Sequence, residues 1–101
     1  MIDSYIALGS NLQDPASQLQ RAVTALAALP DSRLSSVSGV YTSPAIGPGE
    51  QPDYLNAVVR LATTLRPGFL LDQLQHLESL QGRTREQRWA ARTLDLDILL
   101  Y

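Results

Sequence analysis

The 101 residues suit one domain with a single core, large enough to fold but with little margin. Hydrophobic residues make up 45% and charged residues 18%, an ordinary globular balance, and no apolar run reaches membrane-span length. The absence of cysteine excludes disulfide frameworks, thiolate metal sites and cysteine nucleophiles, and a formal charge of -2 argues against general nucleic-acid binding.

The N-terminus, "MIDSYIALGSNL", has neither a basic start nor a long apolar segment, so the expected location is the cytoplasm. "DSYIALG" predicts a short strand closed by a Gly-Ser-Asn turn. "DPASQLQRAVTALAALP" predicts a helix, with Asp14 as N-cap, Pro15 at the first position and Pro30 as the stop. Leu19, Ala22, Val23, Leu26 and Leu29 form its apolar stripe. Residues 33–43 are rich in Val, Tyr, Thr and Ser and predict a strand, although Leu34 and Val40 differ in phase from Val37.

"DYLNAVVRLATTL" alternates more cleanly. Leu55, Ala57, Val59 and Leu61 share one face, while Tyr54, Asn56 and Arg60 share the other. "RPGFLLDQLQHLESLQG" predicts a second helix, with Pro67 near its start, Leu70, Leu74 and Leu77 on one face, and Gly82 as C-terminal cap. "RTLDLDILLY" predicts the last strand. The order strand, helix, strand, strand, helix, strand is the α+β, ferredoxin-like βαββαβ pattern, with a mostly antiparallel sheet and both helices on one face. The opposite face is then open to a ligand, although the fold alone assigns no function.

Two connections exceed the length of simple turns: "SPAIGPGEQPD" between the middle strands, and "GRTREQRWAART" before the last one. All eight cations are arginine, and Arg83, Arg85, Arg88 and Arg92 fall within the second connection. A local arginine cluster on an acidic chain suits a small phosphate- or carboxylate-bearing ligand, and a solvated basic loop would look the same.

In the last strand, Leu94, Leu96, Ile98 and Leu100 are expected to face the core. Asp95 and Asp97 then point together to the opposite side, with Cα atoms about 7 Å apart. Two like charges at that spacing repel unless a cation joins them, and Mg²⁺ takes a few carboxylates together with phosphate oxygens and water. Two exposed aspartates neutralised by arginine are the alternative. Tyr54 and Asn56 share a face at the start of their strand, where they could stack on and read a heterocycle or simply satisfy loop backbone. Gln75 and Glu78 share a helix face and could reach a ligand or face solvent. Trp89 could cover a ligand or anchor its loop. Gly9, Ser10 and Asn11 could cradle an anion or form a plain turn. His76 is assigned no role, and no Walker-type loop is present.

These motifs together resemble the 6-hydroxymethyl-7,8-dihydropterin pyrophosphokinase family of folate biosynthesis. The resemblance runs through "YIALGSNL", "VYTSPAIGPGEQPDYLNAVV", "LESLQGR" and above all "RWAARTLDLDILL", an arginine, two spacers and D-x-D in an apolar strand. It implies Mg²⁺-dependent transfer of pyrophosphate from ATP to the hydroxymethyl group of the pterin, releasing AMP. It assigns the catalytic machinery to Arg83, Arg92, Asp95 and Asp97, with two Mg²⁺ ions on the aspartates. It places Gln75, Glu78, Arg85, Trp89, Arg92 and Ile98 around ATP, and Ser43, Pro44, Ala45, Gly47, Tyr54 and Asn56 around 6-hydroxymethyl-7,8-dihydropterin. The expected partners are these two small molecules, with no nucleic acid or membrane, and the chain is expected to be a monomer. Ala90-Ala91 stands where the family commonly has Gly-Pro, and Ala45 where a second proline is usual. Residues 1–101 are expected to form a single pyrophosphokinase domain lacking the usual C-terminal part. The rival expectations are a non-catalytic or nucleotide-binding-only ferredoxin-like fragment and, from the strand order, an RNA-binding module. The module is disfavoured by the lack of aromatics in "NAVVRLAT".

Overall fold

The computed structural model describes residues 1–11, 14–44, 52–81 and 94–101. In chain order the elements are β1 (Ile2–Ser10), α1 (Pro15–Ala27), β2 (Ser32–Val37), β3 (Tyr41–Ser43), β4 (Tyr54–Thr63), α2 (Pro67–Leu80) and β5 (Asp95–Leu100). The sheet runs β2-β4-β1-β5, and every pairing is antiparallel. β2 pairs with residues 59–63 of β4 and β3 with residues 54–56, so the two lie end to end along one edge of β4. Counted as one broken strand, they give the expected ferredoxin-like α+β arrangement.

The break between β2 and β3 explains the uneven alternation of residues 33–43. Ser38 bridges it: its N–H donates to the Val58 carbonyl at 2.8 Å, and its Oγ accepts from the Val58 N–H at 2.8 Å. A hydroxyl thus stands in for a ladder carbonyl where the backbone departs from the strand. A register shift between Leu34 and Ser36 adds a second irregularity.

Both helices cover one face of the sheet. Leu19, Ala22 and Leu26 of α1 and Leu70 and Leu74 of α2 meet Ile6, Leu8, Val59, Leu61, Leu94 and Leu96 in one core. The period-2 positions of β4 and the helical stripes therefore converge as their spacing predicts. Just past the end of α2, the Gln81 side-chain amide donates to the Gln18 carbonyl at 3.0 Å and to Gln18 Oε1 at 2.7 Å, a buried polar tie between that helix end and α1. Among the described residues, no helix is long and apolar enough to cross a membrane.

Three local expectations need correction. β1 continues through Gly9 and Ser10, which pair with Asn56 and Leu55, so these residues form strand and not a turn. Asp14 precedes α1, but its side chain makes no capping bond; its backbone carbonyl accepts from Gln18 N at 3.1 Å. Leu100 does not face the core. β5 pairs Ile98 with Ile6 but Leu100 with Tyr5, leaving Leu99 as an extra residue. This bulge shifts the phase of the alternation. Leu99 and Leu100 are exposed, while Tyr101 turns inward against the core and its hydroxyl donates to the Leu65 carbonyl.

Candidate active site

The open face of the sheet is set by registry. Asp95 pairs with Gly9, which pairs with Asn56, which pairs with Tyr41; one step along, Asp97 pairs with Ala7, which pairs with Val58. Residues directly paired in a sheet share a face. The two aspartates of β5 and the Tyr54–Asn56 pair of β4 therefore stand on the same side, separated by the small residues of β1. They line one open cleft of about 300 Å³ together with Ala7, Leu8, Gly9, Ser43 and Pro44.

The floor of the cleft depends on Gly9. A Cβ there would lie 3.3 Å from Asn56 Oδ1 and 3.5 Å from Tyr54 Cδ1. The absent side chain lets both groups lean over β1. We expect Gly9→Val to cost about 1–3 kcal/mol by overpacking. Gly39→Ala should change stability by under about 0.5 kcal/mol, since nothing lies within 4 Å of its Cβ position. Urea denaturation of the two variants checks the difference.

Asn56 is oriented by its neighbours. Its Nδ2 donates to Ser43 Oγ at 2.9 Å and, at longer range, to the carbonyls of Tyr41 at 3.3 Å and Tyr54 at 3.4 Å. The amide nitrogen is thus committed to β3 and β4, and the oxygen lies over Gly9. Satisfying nearby backbone and presenting a polar edge to a ligand are not exclusive here. The hydroxyl of Ser43, a residue that the resemblance places around the pterin, does the orienting.

Asp97 is exposed and Asp95 half-buried. Among the described residues, no group of three or more His, Cys, Asp or Glu side chains gathers at one point. Two carboxylates suit a hard cation that keeps some water and takes other oxygens from phosphate, as Mg²⁺ does; they do not make a closed all-protein site. On that chemistry the donor set fits Mg²⁺ delivered with a nucleotide.

Gln75, Glu78 and Ile98 are not part of the cleft lining. Gln75 is exposed on α2, and Ile98 packs partly buried against the core. Glu78 is only 4% exposed, which rules out a solvated helix surface for it. Its Oε2 accepts a hydrogen bond from the Leu96 N–H at 2.9 Å, on the strand that carries both aspartates. The sequence held a signal for this burial: Leu70, Leu74 and Glu78 follow one another at four-residue spacing, the three buried positions of the helix. Arg83, Arg85, Arg88, Trp89 and Arg92, and on the other loop Ala45 and Gly47, lie outside the described residues, as does the expected Gly82 cap.

The sequence model of a family described as 7,8-dihydro-6-hydroxymethylpterin-pyrophosphokinase matches residues 5–101. Curated relatives named 2-amino-4-hydroxy-6-hydroxymethyldihydropteridine pyrophosphokinase are similar along almost the whole chain. That of Haemophilus influenzae is 54% identical over 101 residues, covering 100% of this chain and 63% of its own length. That of Pseudomonas aeruginosa is 53% identical over 97 residues, covering 96% and 60% respectively. That of Pseudomonas putida is 52% identical over 100 residues, covering 99% and 82%. The chain therefore spans under two thirds of the length of the first two relatives.

Proposed function

Because the chain belongs to the 7,8-dihydro-6-hydroxymethylpterin-pyrophosphokinase family, we propose that it serves Mg²⁺-dependent transfer of pyrophosphate from ATP to 6-hydroxymethyl-7,8-dihydropterin in folate biosynthesis. One observation carries the reading: two carboxylates and the Tyr54–Asn56 pair line the same cleft, about 300 Å³ in volume. That arrangement offers a charge-neutralising side for a triphosphate and a flat, hydrogen-bonding side for a heterocycle.

In this reading the pterin hydroxymethyl oxygen attacks the β-phosphorus of ATP in line. The bond from that phosphorus to the α-phosphate oxygen breaks, AMP leaves with that oxygen, and the hydroxyl proton passes to solvent water. Among the described lining residues, the Asp95 and Asp97 carboxyls and the Tyr54 phenol are the only ionisable side chains. Catalysis by positioning and charge neutralisation fits this set better than catalysis by a strong base, as is general for phosphoryl-type transfer. Asp95 and Asp97 would hold two Mg²⁺ ions, which would neutralise phosphate charge and polarise the phosphorus. Asn56, oriented through Ser43, presents its amide edge to the pterin, Tyr54 stacks beside it, and Pro44, Ala45 and Gly47 contribute the adjoining loop. Arg83, Arg85 and Arg92 take phosphate oxygens, and Trp89 helps to exclude water; Gln75, Glu78 and Ile98, which the resemblance places around ATP, stand outside the cleft lining, with the Glu78 carboxylate on the Leu96 N–H. The proposal extends to a cytoplasmic monomer that engages neither nucleic acid nor membrane.

The test is direct. ATP, Mg²⁺ and the pterin alcohol are mixed with the chain, and AMP is followed with time. We expect AMP only when all three are present. ATP binding without AMP release would instead support a nucleotide-binding-only role.

A further inference from the structure

Asp95 and Asp97 are separated by Leu96, and the structure holds this three-residue segment from both sides. On the inner side, Asp95 pairs with Gly9, Leu96 with Leu8 and Asp97 with Ala7 of β1. On the outer side no strand of the described sheet follows β5. There the Glu78 carboxylate takes the Leu96 N–H at 2.9 Å, occupying the position that the carbonyl of a next strand would hold. Glu78 is 4% exposed and sits on the buried stripe of α2 with Leu70 and Leu74. A charged acceptor makes a stronger hydrogen bond than a neutral carbonyl, and burial protects it from competition by water.

We propose that Glu78 is a positioning residue for the cation-binding pair: by gripping Leu96 N–H it fixes the pleat of β5, and with it the spacing and common direction of the Asp95 and Asp97 carboxylates. The inference rests on the metal-nucleotide reading of those aspartates. The physical reason is the location of the pair on an edge strand. An edge strand has ladder bonds on one side only, so the outer half of its backbone is free to twist or bulge. β5 does bulge at Leu99, two residues beyond Asp97. Ahead of that point, the Glu78 bond supplies the missing outer restraint. Small displacements of ligands are costly to a cation that demands near-octahedral geometry.

Two substitutions separate reach from charge. Glu78→Gln keeps the side-chain length and an accepting oxygen but removes the charge. Glu78→Asp keeps the charge but is one methylene too short to meet Leu96. Two readouts are needed: hydrogen exchange at the Leu96 amide in the ligand-free chain, and Mn²⁺ affinity by electron paramagnetic resonance in the presence of α,β-methylene-ATP. We expect Glu78→Gln to keep Leu96 protection and to bind Mn²⁺ within about threefold of the parent. Glu78→Asp should lose the protection and bind about tenfold or more weakly, the range typical of residues that orient a metal ligand. Parent-like affinity in Glu78→Asp, or a loss in Glu78→Gln as large as in Glu78→Asp, overturns the proposal. Asp97→Asn, run alongside, tests the premise. If Asp97→Asn keeps its Mn²⁺ affinity, the metal assignment itself fails; if it loses affinity while Glu78→Asp does not, only the positioning role fails.

Discussion

Replacing Asp95 or Asp97 with alanine will abolish Mg²⁺-dependent nucleotide binding while leaving the fold in place. The two carboxylates lie on the open face of β5, away from the leucine layer, and Asp97 is exposed. Neither substitution opens a hole in the core. The stability of the variant at the exposed Asp97 should stay within about 0.5 kcal/mol of the parent. Binding behaves in the opposite way. Residues that merely orient a metal ligand affect affinity by about 10–100-fold, and removal of a direct ligand should exceed that. We therefore expect a loss of about 100-fold or more in nucleotide affinity with Mg²⁺ present, and little change with EDTA. Titration calorimetry with and without the metal reads both quantities. Equal affinities for parent and both variants would remove the metal assignment.

The largest effect on stability is expected at Leu74. Its side chain is 0% exposed and packs in the core shared by α2 and the sheet. Truncation to alanine removes buried methylenes and leaves a cavity that the surrounding strands cannot close, at a cost of about 2–5 kcal/mol. Against a total stability of about 5–15 kcal/mol, this is a large fraction. For a domain of this size it corresponds to a fall in melting temperature of about 10–20 °C. Leu80 is the control on the same helix. It is 63% exposed, and its truncation should change stability by about 0.5 kcal/mol or less. Calorimetry of the two variants decides the matter. Comparable losses at both positions would mean that α2 is not seated on the sheet as described.

Much of this architecture is legible in the residues, and the exceptions share a cause. β4 and both helices follow from hydrophobic period, because burial acts on each of their residues in turn. The common direction of Asp95 and Asp97 follows from strand geometry. The bulge at Leu99 does not, since an inserted residue has no characteristic side chain and leucine fits either face. The strand character of Gly9 and Ser10 was hidden because glycine followed by serine and asparagine usually marks a turn. Here the glycine makes room for Asn56, a residue 47 positions later. The bond between Asn56 and Ser43 is likewise long-range and leaves no local pattern. Glu78 was readable from its spacing to Leu70 and Leu74, but a glutamate on a leucine stripe invites assignment to solvent. Its burial makes sense only once the Leu96 amide is seen facing it.

The extra residue at Leu99 divides the end of β5 into two lengths of chain with different tolerance. Upstream of it, one residue gained or lost between the two acidic groups would turn one of them into the hydrocarbon layer and push a leucine into its place. Downstream, the ladder has already slipped by one step, so a comparable change can be taken up at the slip and go no further. The count of residues from Asp95 to Asp97 is therefore fixed by chemistry, whereas the count beyond is fixed by the pairing of Leu100 with Tyr5, the Ser4 hydroxyl on the Leu100 carbonyl and the anchorage of Tyr101 at Leu65.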